Sequence, residues 1–391
     1  MKRMPAMLFT AAVLGSCTAL ADVTVKATNK LNLDRPSQTI EILGKDLTSL
    51  NVKDLALVHV KDESGKELMA QAVDTDFDDY HRADIVIFQA DFKPNESKSF
   101  TLSAGKKQVY KAEDFKAFGR FNRERFDDFA WENDRVAHRT YGAGLRTWKG
   151  EPLTSSTIDI WSKRTPKMVT DKWYMHADYH TDHGEGADFY SAGPTGGCGA
   201  SGVWADGKVV WPANYVMSRT LAAGPIRVLF ELDYEAFDAA GQKVSAMRRT
   251  QLDAGQNLNH IVMTYKPEGG AKDVMAAIGL KKTLVEKGVL EHGKNFNKEL
   301  GWLTKFEDVE KKAGKQGLAV IVDDPKLIQE QVEDARNQLL VVKLPADAKL
   351  SYRAGFFWDK AEHFKDYDAW KTYVDQQAQG IVSPMEVVVG Q

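Results

Sequence analysis

From about residue 118 the chain reads as one period-two run after another. Examples are "RVAHRTYG", "STIDIWSK", "SGVWADGKVVW", "IRVLFELDYEAF", "KVSAMRRTQLD", "LNHIVMTYKP", "LAVIVDD" and "NQLLVVKLP". Turn residues separate them, and Asp206-Gly207 between apolar arms is a strong hairpin signal. Alternation at this density calls for antiparallel sheets that bury one face each. Helical periodicity is confined to "DYDAWKTYVDQQAQG", which places Tyr367, Trp370, Tyr373 and Val374 on one face, with Gly380 as its C-cap. "PKLIQEQVEDA" reads as a short helix or a loop.

Residues 22–105 hold shorter strands, "DVTVKATN", "ADIVIFQADF" and "KSFTLSA", and read as a small N-terminal β-sandwich module. The charged stretch "KKQVYKAEDFKA" connects it to a large antiparallel β domain over 118–391. Residues 1–21 read as a secretory signal, with Lys2 and Arg3 before an apolar run and Ala19-Leu20-Ala21 at the cleavage site. "LGSC" offers the alternative of a lipoprotein anchored through Cys17. Either way the expected location is a bacterial periplasm or cell surface. After cleavage at Ala21, Cys198 is the one remaining cysteine, so no internal disulfide forms. A formal charge of −3 gives no basic footprint for nucleic acid, and no later apolar run is long enough to span a membrane.

Chemistry-bearing residues concentrate in "DKWYMHADYHTDHGEGADFYSAGPTGGCGASG", 171–202. Taken as a strand, "KWYMHADYH" turns Trp173, Met175, Ala177 and Tyr179 to one side and Tyr174, His176, Asp178 and His180 to the other. The second set is a phenol, a carboxylate and two imidazoles on one face; the bland alternative is a solvated face. A zinc helix like HExxH is disfavoured, because Ala177 stands where that motif needs Glu. In a strand the two imidazoles lie about 13 Å apart, too far to share an ion. A divalent metal, calcium or zinc, remains open at Asp178, Asp182, His183 and Glu185, against a loop of merely solvated acids. "GCGASG" matches a dinucleotide fingerprint in letters only, since no strand precedes it and no helix follows. Its glycines suit close backbone approach.

A second cluster, "RERFDDFAWENDRVAHRTYGAG", mixes Arg125, Asp128, Glu132 and Arg139 with Trp131, His138 and Tyr141. Such a set suits a saccharide, with aromatic faces for the ring and Arg for a uronate carboxylate; an ion-pair network between strands is the equal alternative. Trp148, Trp161, Trp204, Trp211 and Arg219 follow, and "YRAGFFWDKAEHF" adds Arg353, Trp358 and His363 near the end. Most of these indoles must be core. Trp204 and Arg353 are candidates for a binding cleft.

The runs "FDDFAWENDRVAHRTYG", "HGEGADFYSAGPTGGCGASGVWADG" and "GPIRVLFELDYEAF" resemble an uncharacterised family of secreted bacterial proteins labelled as a domain of unknown function and encoded near pectin- and uronate-degrading enzymes. The resemblance implies a β-supersandwich similar to galactose mutarotases and several polysaccharide lyases. It brings no catalytic assignment; His176, His260 and Glu386 imitate the mutarotase set in type alone.

The expected activity is that of a carbohydrate-active enzyme on uronic-acid-containing, pectin-like oligosaccharides, by β-elimination. Arg139 or a cation would neutralise the carboxylate, His176 or His180 would take the proton, and Tyr174 or Tyr141 would protonate the leaving oxygen. Trp131, Glu132, Arg125, Asp128, His138, Trp204 and Arg353 would bind substrate. The alternatives are a hydrolase using Glu132 and Asp178, an epimerase, or a sugar-binding protein without chemistry.

Overall fold

The computed structural model describes residues 22–76, 82–150, 153–176, 178–270 and 272–390. The expected leader, including Cys17 and the Ala21 site, lies outside them. So does Ala177.

The architecture is mainly β. An eight-stranded antiparallel sheet runs in the order Met217–Ala222, Arg227–Ala239, Gln242–Asp253, Leu258–Pro267, Lys349–Trp358, Lys315–Val322, Trp302–Asp308 and Glu291–Asn297. Its inner side chains, among them Phe230, Leu252, Ile261, Val320 and Tyr352, pack against a five-stranded sheet that contributes Cys198, Ala200, Ile278, Leu340 and Val342. The glycine-rich motif starts the strand Cys198–Ala205 of that second sheet. Gly199 has φ +95°, and a Cβ there would come 2.3 Å from the Cβ of Ala354. The two sheets touch at that point because no side chain intervenes. Cys198 is buried, and burial pushes its thiol up, away from nucleophilic use. Asp206 and Gly207, both at positive φ, close the hairpin to Lys208–Val210.

A third sheet of five strands holds Ala117–Asn122, Asp128–Asn133, Ala137–Thr140, Asp159–Lys163 and Gly186–Ala187. Alternation assigns Phe129, Trp131, His138 and Ile160 to the central core, where Phe129 stacks on Phe230 at 4.2 Å. The same alternation puts Asp128, Glu132, Arg139, Asp159 and Lys163 together on the opposite face. The segment between Lys163 and Gly186 folds back over that charged face.

The N-terminal strands form two sheets around their own core of Val25, Ile40, Val60, Phe88 and Phe100. Here the reading of 118–391 as one unit needs correction. The last strand, Glu386–Gly390, crosses back to pair with Val23–Thr28. Glu386 lies on that exposed edge beside Lys30, which ends its likeness to a late catalytic Glu. The module docks through Val73, Ile85 and Ile87 on Ile226 and Leu229, and through Arg227. That guanidinium is buried and pairs with Asp253 at 2.7 Å and with Glu41 of the module at 2.6 Å.

The C-terminal helix α2, Tyr367–Val382, is capped by Asp366, which accepts from the Ala369 amide at 2.9 Å. Trp370, Val374 and Ala378 cover Ala319, Ile321 and Phe357 on the outer face of the large sheet. Gly380 lies inside this helix and does not end it. "PKLIQEQVEDA" becomes a 3₁₀ turn followed by the strand Ile328–Glu333.

Removing the Arg227 side chain strands a buried carboxylate at the junction. Arg227→Ala is expected to lose about 3–5 kcal/mol in urea unfolding. A loss below about 1 kcal/mol would show that the apolar contacts alone hold the module.

Candidate functional site

Among the described residues of 170–180 there is no strand. Thr170–Tyr174 forms a short helix, α1, followed by turns. Trp173 and Tyr174, adjacent in sequence, are both buried, which alternation forbids and a helix end permits. The expected quartet therefore disperses. Tyr174 points into the protein, while His176, Asp178 and His180 are exposed.

What positions α1 is Glu132. One carboxylate oxygen accepts from the amides of Val169 at 2.8 Å and Thr170 at 2.7 Å, and the other accepts from the Lys163 ammonium at 2.8 Å. Lys163 also donates to the carbonyls of Asn133 and Lys167 at 2.8 and 2.7 Å. Both side chains are wholly buried. Glu132 is thus a structural anchor and is not a substrate ligand or a hydrolase carboxylate.

Beside this pair lies a hub around Arg139. Its guanidinium is 2.8 Å from Asp159, 3.1 Å from Asp188 and 3.8 Å from Asp128, and it donates to the Tyr179 hydroxyl at 3.2 Å. Tyr141 donates to Asp159 at 3.0 Å. Burial pushes the phenols of Tyr141 and Tyr174 well above the ordinary tyrosine value, so neither is a ready proton donor. Arg139 is saturated with anions and has no face left for a uronate. Arg125 lies 4.8 Å from the Tyr179 ring centre and also donates to the Tyr179 hydroxyl. Asp128 accepts from the Gly142 amide at 3.2 Å. Its carboxyl is raised to about 7, first by burial, against the opposing pull of Arg139.

Four other expected ligands are elsewhere. Trp131 and His138 are core: their rings stack at 5.2 Å, and Asn259 bridges them. Burial lowers His138 to about 3, so it stays neutral. Trp204 packs with Trp211 on the outside of the second sheet. Arg353 pairs with Asp323 at 2.8 Å on the large sheet's outer face, next to His260 in the neighbouring strand.

Above the hub, between α1 and the glycine turn at 184–186, is a cavity of about 320 Å³ lined by Trp173, His176, Asp178, Tyr179 and His183, with Lys172 and Glu185 at its side. Lys172 and Glu185 pair at 2.7 Å, and Lys172 holds the Glu185 carboxyl below its usual range. The rings of His176 and His183 lie 6.4 Å apart. Asp182 accepts from the amides of Gly184 and Gly186 at 2.8 and 3.1 Å and pairs with Arg164 at 2.6 Å. His180 turns away from the cavity toward Asp188, 3.0 Å from its carbonyl. Among the described residues no three His, Cys, Asp or Glu side chains converge as a metal set. The expected group of Asp178, Asp182, His183 and Glu185 is broken up by the Arg164 and Lys172 ion pairs. Sequence reasoning missed Tyr179 because alternation counted it with the core residues. It is buried, yet it forms the floor of the cavity and the roof of the hub.

Asp128 gives the hub a pH signature. Its folded value near 7 exceeds the ordinary carboxylate value, so the folded state keeps a proton that the unfolded chain releases between about pH 4 and 7. Stability contributed by this group is therefore present at the acid end and lost as pH rises through 7. Asp128→Asn should flatten that slope, gaining on the parent at about pH 8 relative to about pH 5 in urea unfolding. Parallel pH profiles for the two proteins would contradict the assignment.

Residues 27–387 match the model of a family described as "Domain of unknown function (DUF4861)". "Uncharacterized protein P7" of Formosa agariphila is 29% identical over 383 residues, covering 94% of this chain and 93% of that protein. Among solved structures, a protein in the Glycosyl Hydrolase Family 38 from Enterococcus faecalis is similar, with a TM-score of 0.50 and 9% identity. That likeness covers 95% of this chain and 47% of the other, so the chain spans about half its length, and at this identity the likeness is one of fold. By the match over most of its length, the chain belongs to the DUF4861 family.

Proposed function

We propose that the cavity between α1 and the glycine turn is a saccharide site, and that the chain acts there on uronic-acid-containing oligosaccharides by β-elimination. One observation carries the reading. The side chains of His176, Asp178 and His183 share this cavity, and among the described residues no hydrogen bond or ion pair holds any of the three. The remaining ionisable groups of the lining are engaged: Lys172 with Glu185, and Tyr179 with two arginines. Three uncommitted polar side chains against the rings of Trp173 and Tyr179 make a recognition surface for a polyhydroxylated ring. The volume falls at the small end of the usual 300–1,000 Å³ range for ligand sites, roughly.

Elimination asks for a cation at the uronate carboxylate, a base for the C5 proton and a donor for the departing O4. Lys172 supplies the cation, exchanging its contact with Glu185 for one with substrate. His176 or His183 takes the proton as general base. The other imidazole of the pair, its ring 6.4 Å away, stands as donor. The C5–H electron pair becomes the C4–C5 double bond, and O4 leaves carrying the proton it is given. Of the residues first suited to these roles by sequence, Arg139, His180 and Tyr141 are committed to the hub and the Tyr174 side chain is buried beneath α1.

The test is the ultraviolet absorbance of the new double bond when the protein meets pectin-, rhamnogalacturonan- or alginate-derived oligosaccharides. His176→Ala and His183→Ala should each lower kcat/KM by about a hundredfold while leaving circular dichroism unchanged. Wild-type turnover in both variants would remove the cavity from consideration. Binding without any unsaturated product would identify a recognition protein without chemistry.

A further inference from the structure

The N-terminal module contains a second, larger concavity of about 940 Å³ that the proposed chemistry does not use. Its walls are the 3₁₀ turns Gly44–Leu50 and Leu55–Leu57, the strand Ala70–Val73 and the start of the connector at Lys107. The walls are tightly tied. Gly44 donates to the Asp84 carbonyl at 2.7 Å, and a Cβ on Gly44 would come 2.9 Å from Leu55. Asn51 joins the two turns at φ +48°. The connector is laced to the rim by Gly105 and Gln108, which donate to the carbonyls of Leu57 and Ala56 at 2.8 and 3.0 Å.

The lining has a definite polarity. Lys45, Lys53, Arg82 and Lys107 bring positive charge, and Asp54 and Asp84 bring negative charge. Both acids are occupied from within: Asp54 caps the Leu55–Leu57 turn and pairs with Lys107 at 2.8 Å, and Asp84 accepts from the Thr75 amide at 2.7 Å. Lys45 and Lys53 have no such partner among the described residues. Leu43, 44% exposed, and the half-buried Val52 and Leu55 form an apolar floor between the cations. Lys45 and Lys53 thus leave the described lining with unpaired positive charge on a chain whose overall charge is −3, and this concentrates anions locally.

We infer that this groove binds an acidic polysaccharide chain, as a docking site separate from the cavity under α1. The floor accepts the C–H faces of sugar rings, and Lys45 and Lys53 pair with the carboxylates or sulfates along the polymer. This rests on the saccharide reading above for the class of polymer, and on the groove's own charge for the rest. Among the described residues the lining contains no aromatic ring, so charge pairing dominates, and binding falls steeply with salt.

The test uses the full chain, with polygalacturonate and its methyl-esterified, uncharged form as probes in titration calorimetry at low and high salt. The parent binds the acid form and binds the ester weakly. The double variant Lys45→Glu, Lys53→Glu, at exposed positions, weakens acid-polymer binding by about tenfold or more and flattens its salt dependence. Its formation of unsaturated product from short oligosaccharides stays at the parent level. Lys45→Ala, Lys53→Ala serves as a milder pair and falls between. Undiminished polymer binding in both double variants overturns the proposal, as does polyglutamate binding as tightly as polygalacturonate, or the ester binding as tightly as the acid. Absence of product with polymer binding retained sinks the elimination reading and leaves the groove standing; turnover without any polymer binding does the reverse.

Discussion

A guanidinium buried to nine-tenths has to be matched by anions where it lies, and the site of this protein is arranged around that demand at Arg139. Three carboxylates reach it, two of them within 3.1 Å. With Arg125 alongside, the hub brings two cations to three acids. Full ionisation would leave an unbalanced negative charge in a poorly solvated place. Asp128, the acid farthest from the guanidinium, is the one whose carboxyl rises to about 7. Holding a proton there brings the hub close to neutrality.

The hub also explains why a charged face can be covered at all. The outer side of the third sheet carries two separate ionic arrangements, Arg139 with its acids and Glu132 with Lys163. Each solves its own desolvation problem by hydrogen bonds to backbone or phenol. Between and above them Ala130, Ala137, Trp161, Val169, Trp173, Tyr174 and Tyr179 make a small apolar cluster. Glu132 fixes where α1 begins, the cluster fixes which of its residues turn inward, and the residues left over point to the cavity. In this sense the positions of His176 and His183 are consequences of a carboxylate far earlier in the chain.

That dependence marks the boundary of what the sequence discloses. Period two identified the strands of the large sheet, and Asp206-Gly207 the hairpin, because both signals are local and repeated. The spacing of Tyr367, Trp370 and Val374 disclosed α2 for the same reason. The same periodicity misled at 172–180, where Trp173, Met175 and Tyr179 imitate a strand's buried side over too few residues to tell the two geometries apart. The decisive contact there is a pair of backbone amides meeting Glu132, which leaves no trace in residue spacing. Trp131 and His138 were plausible sugar contacts by type, yet strand alternation already assigned them together to the face opposite Arg139 and Glu132. Carried through that second cluster, alternation would have sent them to the core. The return of Glu386–Gly390 to the first strand is a pairing across nearly the whole chain, beyond the reach of any local pattern.

Two sheets packed through small residues at Gly199 and Ala354 define a scaffold, and a similar scaffold occurs in a protein 9% identical in sequence. At that distance the frame says little about chemistry, which has to be sought in what is added to it. Here the addition is the excursion between Asp159–Lys163 and Cys198–Ala205, which supplies α1, the cavity and the glycine turn. Its one arginine and most of its acids are tied up in holding it down: Arg164 with Asp182, Lys172 with Glu185, and Asp188 with Arg139. The groups that remain at the cavity are two imidazoles and one carboxylate. An excursion that needed only to cover a sheet would be expected to end in lysines and serines at those places. Imidazoles and a carboxylate left without a structural task mark the cavity as the part of the excursion that the fold itself does not account for.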